Sequence, residues 1–449
     1  MFGWILNLAY LLLIGIVSPM LIWRSFRQGK YRQGWDEKLL GRLPVRSVSA
    51  SETQSGPRVW LHAVSVGEVL QLRPIVARLQ AARPDCELLI TTTTSTGHLV
   101  ATETFPECTV SYFPLDFTWA VRTALLRVQP DLIVLVELEL WPNFIRQAEA
   151  SGIPLVLVNG RMSFRSYRGY RWIRPLMRGL LNRFARLAVQ TEEYASRLIE
   201  LGAPAECVAV TGSVKFDGIR TNRETDDTLS MGRAFGLKDN ERVFIAGSTH
   251  EPEERFALET YIALREEFPD LRLILVPRHA ERFEEVAKMV ESSGLTLVRR
   301  SDVQAGRTFS GNFSPTSRPV ALLDTLGELT DCWGLADIAF VGGSLTSRGG
   351  QNMIEPASYG AAVIVGPNTH NFRDVVEGLQ FHDGIRILQN SKELTSAVRQ
   401  LLLNPTAARR QGEAAQAFVL TQQGATDRTL QILVDRLPSE TGKPGRRAA

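Results

Sequence analysis

The chain has 449 residues, enough for two or three domains. Its 44% hydrophobic and 22% charged residues exclude a disordered chain, and a formal net charge of +3 excludes a global electrostatic draw toward nucleic acid. Four scattered cysteines and six histidines show no CxxC, HExxH or HxH spacing, so common zinc motifs are excluded and the thiols are expected to be reduced and mostly buried.

The first predicted element is Phe2–Trp23, FGWILNLAYLLLIGIVSPMLIW, with 22 residues and no charge, followed by Arg24, Arg27, Lys30 and Arg32 before the first acid at Asp36. That length spans a bilayer core, and the positive-inside rule places the remaining chain in the cytoplasm. We therefore expect a single-pass membrane anchor over residues 1–24 and a juxtamembrane segment over 25–57. A cleaved signal peptide fits less well, because no basic residue precedes the run and no A-x-A site closes it. Asn7 and Pro19 leave open a helix lying shallow in the interface.

From Val59 the pattern becomes α/β. The runs VWLHA, ELLITTTT, TVSYFPL, DLIVLVE, PLVLVNG and LAVQT are β-branched, apolar and bounded by turn residues, as parallel strands buried on both faces are. The pattern restarts with RVFIAGS, LRLILVP, PVALLDT, IAFVGGS, AAVIVGP and GIRIL. The expected fold is thus two Rossmann-like doubly wound domains facing a cleft, over 58–215 and 216–436. VTGSVKFDGIRTNRETDD forms the linker, and a disordered tail covers 437–449.

Ligands in such sheets bind beyond the carboxyl ends of strands. Ser65, Gly67 and Glu68 follow the first run, and Glu137, Glu139, Trp141 and Pro142 follow the fourth. In the second half those positions hold Thr249 and His250, Arg278 and His279, the loop GGSLTSRGGQN (342–352), Glu355, and NTHNF. Each alone has a bland reading as a helix-dipole acid, a tight turn or a surface histidine. Together, a glycine-rich loop offering amides to phosphate, Arg278 adding charge, Glu355 accepting from ribose and a carboxylate on the other domain suggest a nucleotide-sugar glycosyltransferase. GxGxxG and GxxxxGK[ST] are absent, and no DxD-like pair suggests a metal.

HAVSVGE (62–68), TTTTSTG (91–97), VELELWPN (136–143), TGSVKFD (211–217), GSTHEPEE (247–254), LVPRHAERF (275–283), GELTDCW (327–333), AFVGGSLTSRGGQNMIEPA (339–357) and GPNTHNF (366–372) carry a resemblance over nearly the whole chain. The sequence resembles lipid A Kdo (3-deoxy-D-manno-octulosonic acid) transferases of Gram-negative bacteria. The resemblance implies a GT-B fold without an essential metal or other cofactor. It implies inverting transfer of Kdo from CMP-Kdo to a lipid A precursor (lipid IVA) in lipopolysaccharide inner-core biosynthesis, at the cell inner membrane with the catalytic domains on the cytoplasmic side. By motif, Glu68 is implied as general base, and Glu137 and Lys215 as transition-state supports. Pro277, Arg278, Gly327, Glu328, Leu329, Asn352, Met353, Ile354 and Glu355 are implied as the CMP pocket. Gly67 is expected to let the backbone turn and to keep the approach to Glu68 open.

Residues 161–186 hold eight arginines and no acid, interleaved with Phe164, Tyr167, Tyr170, Trp172 and Phe184. A solvated helix face is the bland reading. The anchor favours anionic lipid headgroups or acceptor phosphates over nucleic acid. A hydrolase or epimerase acting on a soluble nucleotide sugar and a non-catalytic membrane-tethered binding module are the rival classes.

Overall fold

A computed structural model of the chain describes residues 2–28, 33–46, 56–306 and 318–438. The chain divides into two compact units: the first runs to Asp217 and takes up the chain again from Gln423, and the second is Gly218–Gln422. The boundary falls inside the expected linker.

The first unit holds β1 (Arg58–His62), β2 (Glu87–Thr92), β3 (Thr109–Tyr112), β4 (Leu132–Val136), β5 (Leu155–Gly160), β6 (Arg186–Val189) and β7 (Val208–Val210), ordered β3-β2-β1-β4-β5-β6-β7. The second holds β8 (Arg242–Thr249), β9 (Leu271–Pro277), β10 (Leu297–Arg299), β11 (Val320–Leu322), β12 (Ile338–Val341), β13 (Ala362–Val365) and β14 (Ile385–Ile387), ordered β10-β11-β9-β8-β12-β13-β14. All described pairings are parallel. The twelve expected runs are all strands; β7 and β10, three residues each, were not anticipated.

The alternation of a strand explains why these runs are apolar throughout. Trp60, Ile133, Leu135, Leu155 and Leu157 enter one core, while their neighbours Val59, Leu61, Leu132, Val134, Val156 and Val158 enter the core on the other face. Each strand must satisfy two apolar layers, so the few polar side chains inside the strands, such as Arg272 in β9, are buried with hydrogen-bond partners, and most polar groups stand at the strand ends. In the second unit, Phe244, Leu273, Leu275, Phe340 and Ile364 build the equivalent core. The strand order reverses between β1 and β4, and again between β8 and β12. These two switch points open a crevice at the carboxyl edge of each sheet, where polar groups can stand.

The C-terminal helix Ala425–Val434 departs from the expected division, because it belongs to the first unit. Ala425, Leu433 and Leu437 pack with Val69, Leu72, Ile75, Val76 and Leu79 of the helix Val66–Ala82. Asp217 fixes the return, accepting from the amides of Gly424 (2.6 Å) and Thr426 (2.5 Å) at that helix's start. The tail from 439 lies outside the described residues.

The expected membrane crossing is also corrected. Phe2–Gln28 is one helix, but among the described residues no helix is long and apolar enough to cross a membrane. Its polar residues instead bind it side-on to the first unit. Asn7, 2% exposed, donates to Thr118 Oγ1 (2.7 Å) and accepts from Thr118 N (3.1 Å) and Asn143 Nδ2 (3.3 Å); Tyr10 donates to Asp116 (2.9 Å). Trp4, Ile5, Leu8 and Leu12 are left more than half exposed. Of the four free thiols, only Cys332 is buried.

Candidate functional site

At the first switch point, Ser65 caps the helix Val66–Ala82, its Oγ accepting from Glu68 N at 3.4 Å. Glu68 reaches back in the manner of a capping box: Oε2 accepts from Val64 N (2.8 Å) and Oε1 from Ser65 Oγ (2.8 Å). The bland reading of Glu68 as a helix-cap acid is therefore physically real. It does not exhaust the carboxylate, since each oxygen keeps a free lone pair. Gly67 lies inside the helix without a positive φ, so the expected turning role fails. A Cβ there would meet nothing closer than Ser65 Oγ at 3.9 Å, so the space beside Glu68 is open.

β4 brings Glu137 and Glu139 to the same place. Glu137 has φ 57°, a conformation side chains rarely adopt, and its amide is held by Val158 O at 3.0 Å. Gln71, one turn beyond Glu68 on the same helix, donates to Glu137 at 3.5 Å. Asn159 at the end of β5 donates to Gln71 (2.5 Å) and accepts from Val214 N (3.3 Å), the residue before Lys215. A relay of amide side chains thus links the ends of β4 and β5 to the Lys215 turn. Burial pushes the Glu68 carboxyl up, aided by Glu137 and opposed by its bonds from Val64 and Ser65. Burial, together with the charges of Glu68 and Glu137, pushes Glu139 up to about 7, against a bond from Trp141 Nε1. Three carboxyl groups held close, one of them poised near neutrality, can exchange protons.

The second switch point has the opposite charge. His250, after β8, is driven below its ordinary value by burial and then by its neighbours His279, Arg348, Arg278 and Arg282. Its ring meets His279 edge-on at 5.1 Å, and its Nε2 lies 3.2 Å from the Gln351 amide nitrogen. Arg278 is exposed and has no acidic partner among the described residues. Thr330, in the short helix Leu329–Trp333 that follows Gly327 and Glu328, donates to Glu355 at 3.3 Å, and Asn352 donates to Glu355 at 2.9 Å, which brings the segment from 327 to 330 against 352–355. Burial pushes Glu355 up.

Other expected residues are less available. Pro277 is buried, Met353 and Ile354 are 0% and 1% exposed, and any ligand would meet those two through the backbone. Burial alone would raise Glu328, but bonds from Arg300 (2.6 Å), Thr325 and Gln304 hold it below the ordinary carboxylate range, already engaged. The loop expected to cradle phosphate is partly filled: the amides of Gly343 (2.6 Å) and Leu345 (2.9 Å) donate to Glu253. Glu139, Gln71, Asn159 and Glu253 complete the two sites. Of these, Glu139 stands in the strand-end register and Glu253 within GSTHEPEE, whereas Gln71 and Asn159 carry no motif signal of their own. No metal-binding cluster occurs among the described residues. A cavity of ≈ 440 Å³ in the second unit, lined by Arg223, Arg242, Asp337 and Tyr359, lies at the amino edge and contains none of these residues.

Residues 33–218 match the family model described as 3-deoxy-D-manno-octulosonic-acid transferase (kdotransferase). The 3-deoxy-D-manno-octulosonic acid transferase of Haemophilus influenzae is 34% identical over 430 residues, 94% of this chain and 97% of the relative. The Bordetella pertussis transferase of the same name is 34% identical over 437 residues, covering 95% and 98%. The crystal structure of UDP-GlcNAc 2-epimerase from Neisseria meningitidis bound to UDP-GlcNAc is 14% identical and covers 84% of this chain and 100% of its own. Its TM-score is 0.54, a likeness of fold alone.

Proposed function

The chain belongs to the 3-deoxy-D-manno-octulosonic acid (Kdo) transferase family of GT-B glycosyltransferases, and on that premise we propose that it transfers Kdo from CMP-Kdo to a lipid A precursor (lipid IVA), with inversion and without a metal. Glu68 takes the proton of the acceptor hydroxyl as that oxygen attacks the anomeric carbon of Kdo. The bond from that carbon to the CMP phosphate breaks, and CMP leaves with the electron pair. The observation that carries this reading is the setting of Glu68 at the first switch point. An amide and a hydroxyl hold its ionised form, free lone pairs remain, and open space lies beside Gly67. Glu137 and Lys215 stabilise charge in the transition state. Arg278, the 327–329 turn and Asn352–Glu355 bind CMP.

The protein acts at the cytoplasmic face of the inner membrane, attached by the exposed apolar residues Trp4, Ile5, Leu8, Leu12 and Ile16 of the N-terminal helix lying in the interface. The helix Phe164–Arg171 adds to this attachment. Arg165, Arg168 and Arg171 are exposed, next to Phe164 at 59% and Trp172 at 90% exposure. Anionic headgroups suit that combination. Charge reversal at the three arginines is expected to weaken sedimentation with anionic vesicles, most at low salt; unchanged binding would leave these residues a solvated face.

The decisive assay mixes protein, a tetraacylated lipid A precursor and CMP-Kdo formed in situ, and follows the lipid by mass spectrometry. A mass gain of one or more Kdo units is expected with the natural chain and not with Glu68→Gln. CMP release that ignores the acceptor would instead identify a hydrolase.

A further inference from the structure

Glu253 opens the helix Glu253–Leu264 directly after β8 and is 0% exposed. Its Oε2 accepts from the amides of His250 (2.9 Å) and Gly343 (2.6 Å), and its Oε1 from the amide of Leu345 (2.9 Å). No cation forms an ion pair with it among the described residues. Three amides from two loops therefore converge on one buried carboxylate, as they would on a bound anion. Gly343 adopts φ +69° at this point, with Gln351 and His250 side chains packed at 3.3 and 3.5 Å from where a Cβ would stand. The carboxylate ties the end of β8 to the loop after β12 across the switch point. The groups it fixes, His250 and through it Gln351, stand next to Asn352.

We propose that Glu253 is a positioning residue for the donor nucleotide: a built-in anion that fills the glycine-loop nest in place of a phosphate and sets His250, Gln351 and the Asn352–Glu355 turn before the donor arrives. Its charge also turns the donor's phosphate away from this nest and toward the guanidinium of Arg278, which has no acidic partner among the described residues. The inference rests on reading the second unit as the CMP site.

The test is calorimetric titration of CMP into the full chain, with acetate or chloride at matched ionic strength. Glu253→Ala is expected to weaken CMP binding about tenfold or more, because three buried amides lose their acceptor. Acetate is expected to restore affinity, since a small carboxylate fits the vacated space and meets the same amides; chloride is not. Glu253→Gln fills that space and presents an N–H to a donor, so its CMP affinity falls and acetate leaves it unmoved. Full affinity in Glu253→Ala, or a loss that acetate and chloride repair equally, would overturn the proposal and leave Glu253 a fold-stabilising carboxylate. Should Glu253→Ala fail to fold by near-ultraviolet circular dichroism, full CMP affinity in Glu253→Gln overturns it instead. Glu355→Gln runs beside them. If it binds CMP as tightly as the natural chain, or if the natural chain does not bind CMP, the donor reading of the second unit falls rather than the role of Glu253.

Discussion

Glu68 and Glu253 occupy the same place in two copies of one topology. Each stands in the first turn of the helix after the first strand of its unit, and each bends back to accept from the turn that precedes it. What differs is the loop across the switch point. After β12, the glycine loop closes on Glu253 with two more amides and removes it from solvent. After β4, Glu137 takes a left-handed turn, and the strand end brings Glu139 and more negative charge instead of amides. The same folded-back carboxylate is thus sealed in one unit and kept open in the other. The lesson is that the neighbouring strand decides, by the amides it does or does not donate, whether a strand-end acid is sealed or left open.

Glu68→Gln is expected to show the largest effect, a fall in kcat of about 10²–10⁴-fold by steady-state assay, with CMP affinity retained. Near-normal turnover would break the assignment of proton transfer to the acidic switch point. Arg278→Glu carries the acidic character of the first switch point into the second. It is expected to raise the KM for CMP-Kdo about tenfold with a smaller change in kcat, whereas an unchanged KM would remove Arg278 from the donor site. Glu139→Gln sharpens the comparison at a finer scale. The folded Glu139 carboxyl keeps its proton up to about pH 7, and the unfolded one releases it near 4.5, so the native state loses stability as pH rises through that window. Urea unfolding should therefore find Glu139→Gln more stable than the natural chain at pH 8, by about 1–2 kcal/mol after allowance for solvent screening, and nearly equal to it at pH 4. Because Glu139 keeps its proton up to about pH 7, it carries no charge beside Glu68 on the acidic limb of the pH–rate profile, so that limb should stay in place in Glu139→Gln; a limb that moves to lower pH would mean that Glu139 is already ionised there.

The strands were legible because burial on both faces forces an uninterrupted apolar run, and the polar residues that end each run marked the carboxyl edge. That register located Glu68, Glu137 and Arg278. β7 and β10 were missed because three residues are too few for a periodic signal, and the side chains of β7 are only half-buried. Glu253 was quoted only as part of GSTHEPEE, since nothing local shows that loop amides ninety residues later turn toward it. The uncharged N-terminal run looked like a crossing because hydropathy does not register that Asn7 has partners at Thr118 and Asn143. The expected second domain, 216–436, takes in Ala425–Val434 because continuity of the chain does not say which core receives an apolar face.

That returning helix has a consequence for synthesis. The surface of Val66–Ala82 that carries Leu72 and Val76 stays uncovered while residues 218–422 are being translated, and it is sealed only when Ala425–Val434 leaves the ribosome. A chain cut short after residue 422 keeps a complete second unit and an unfinished first one, so an incomplete product holds the intact sheet without a finished support for Glu68.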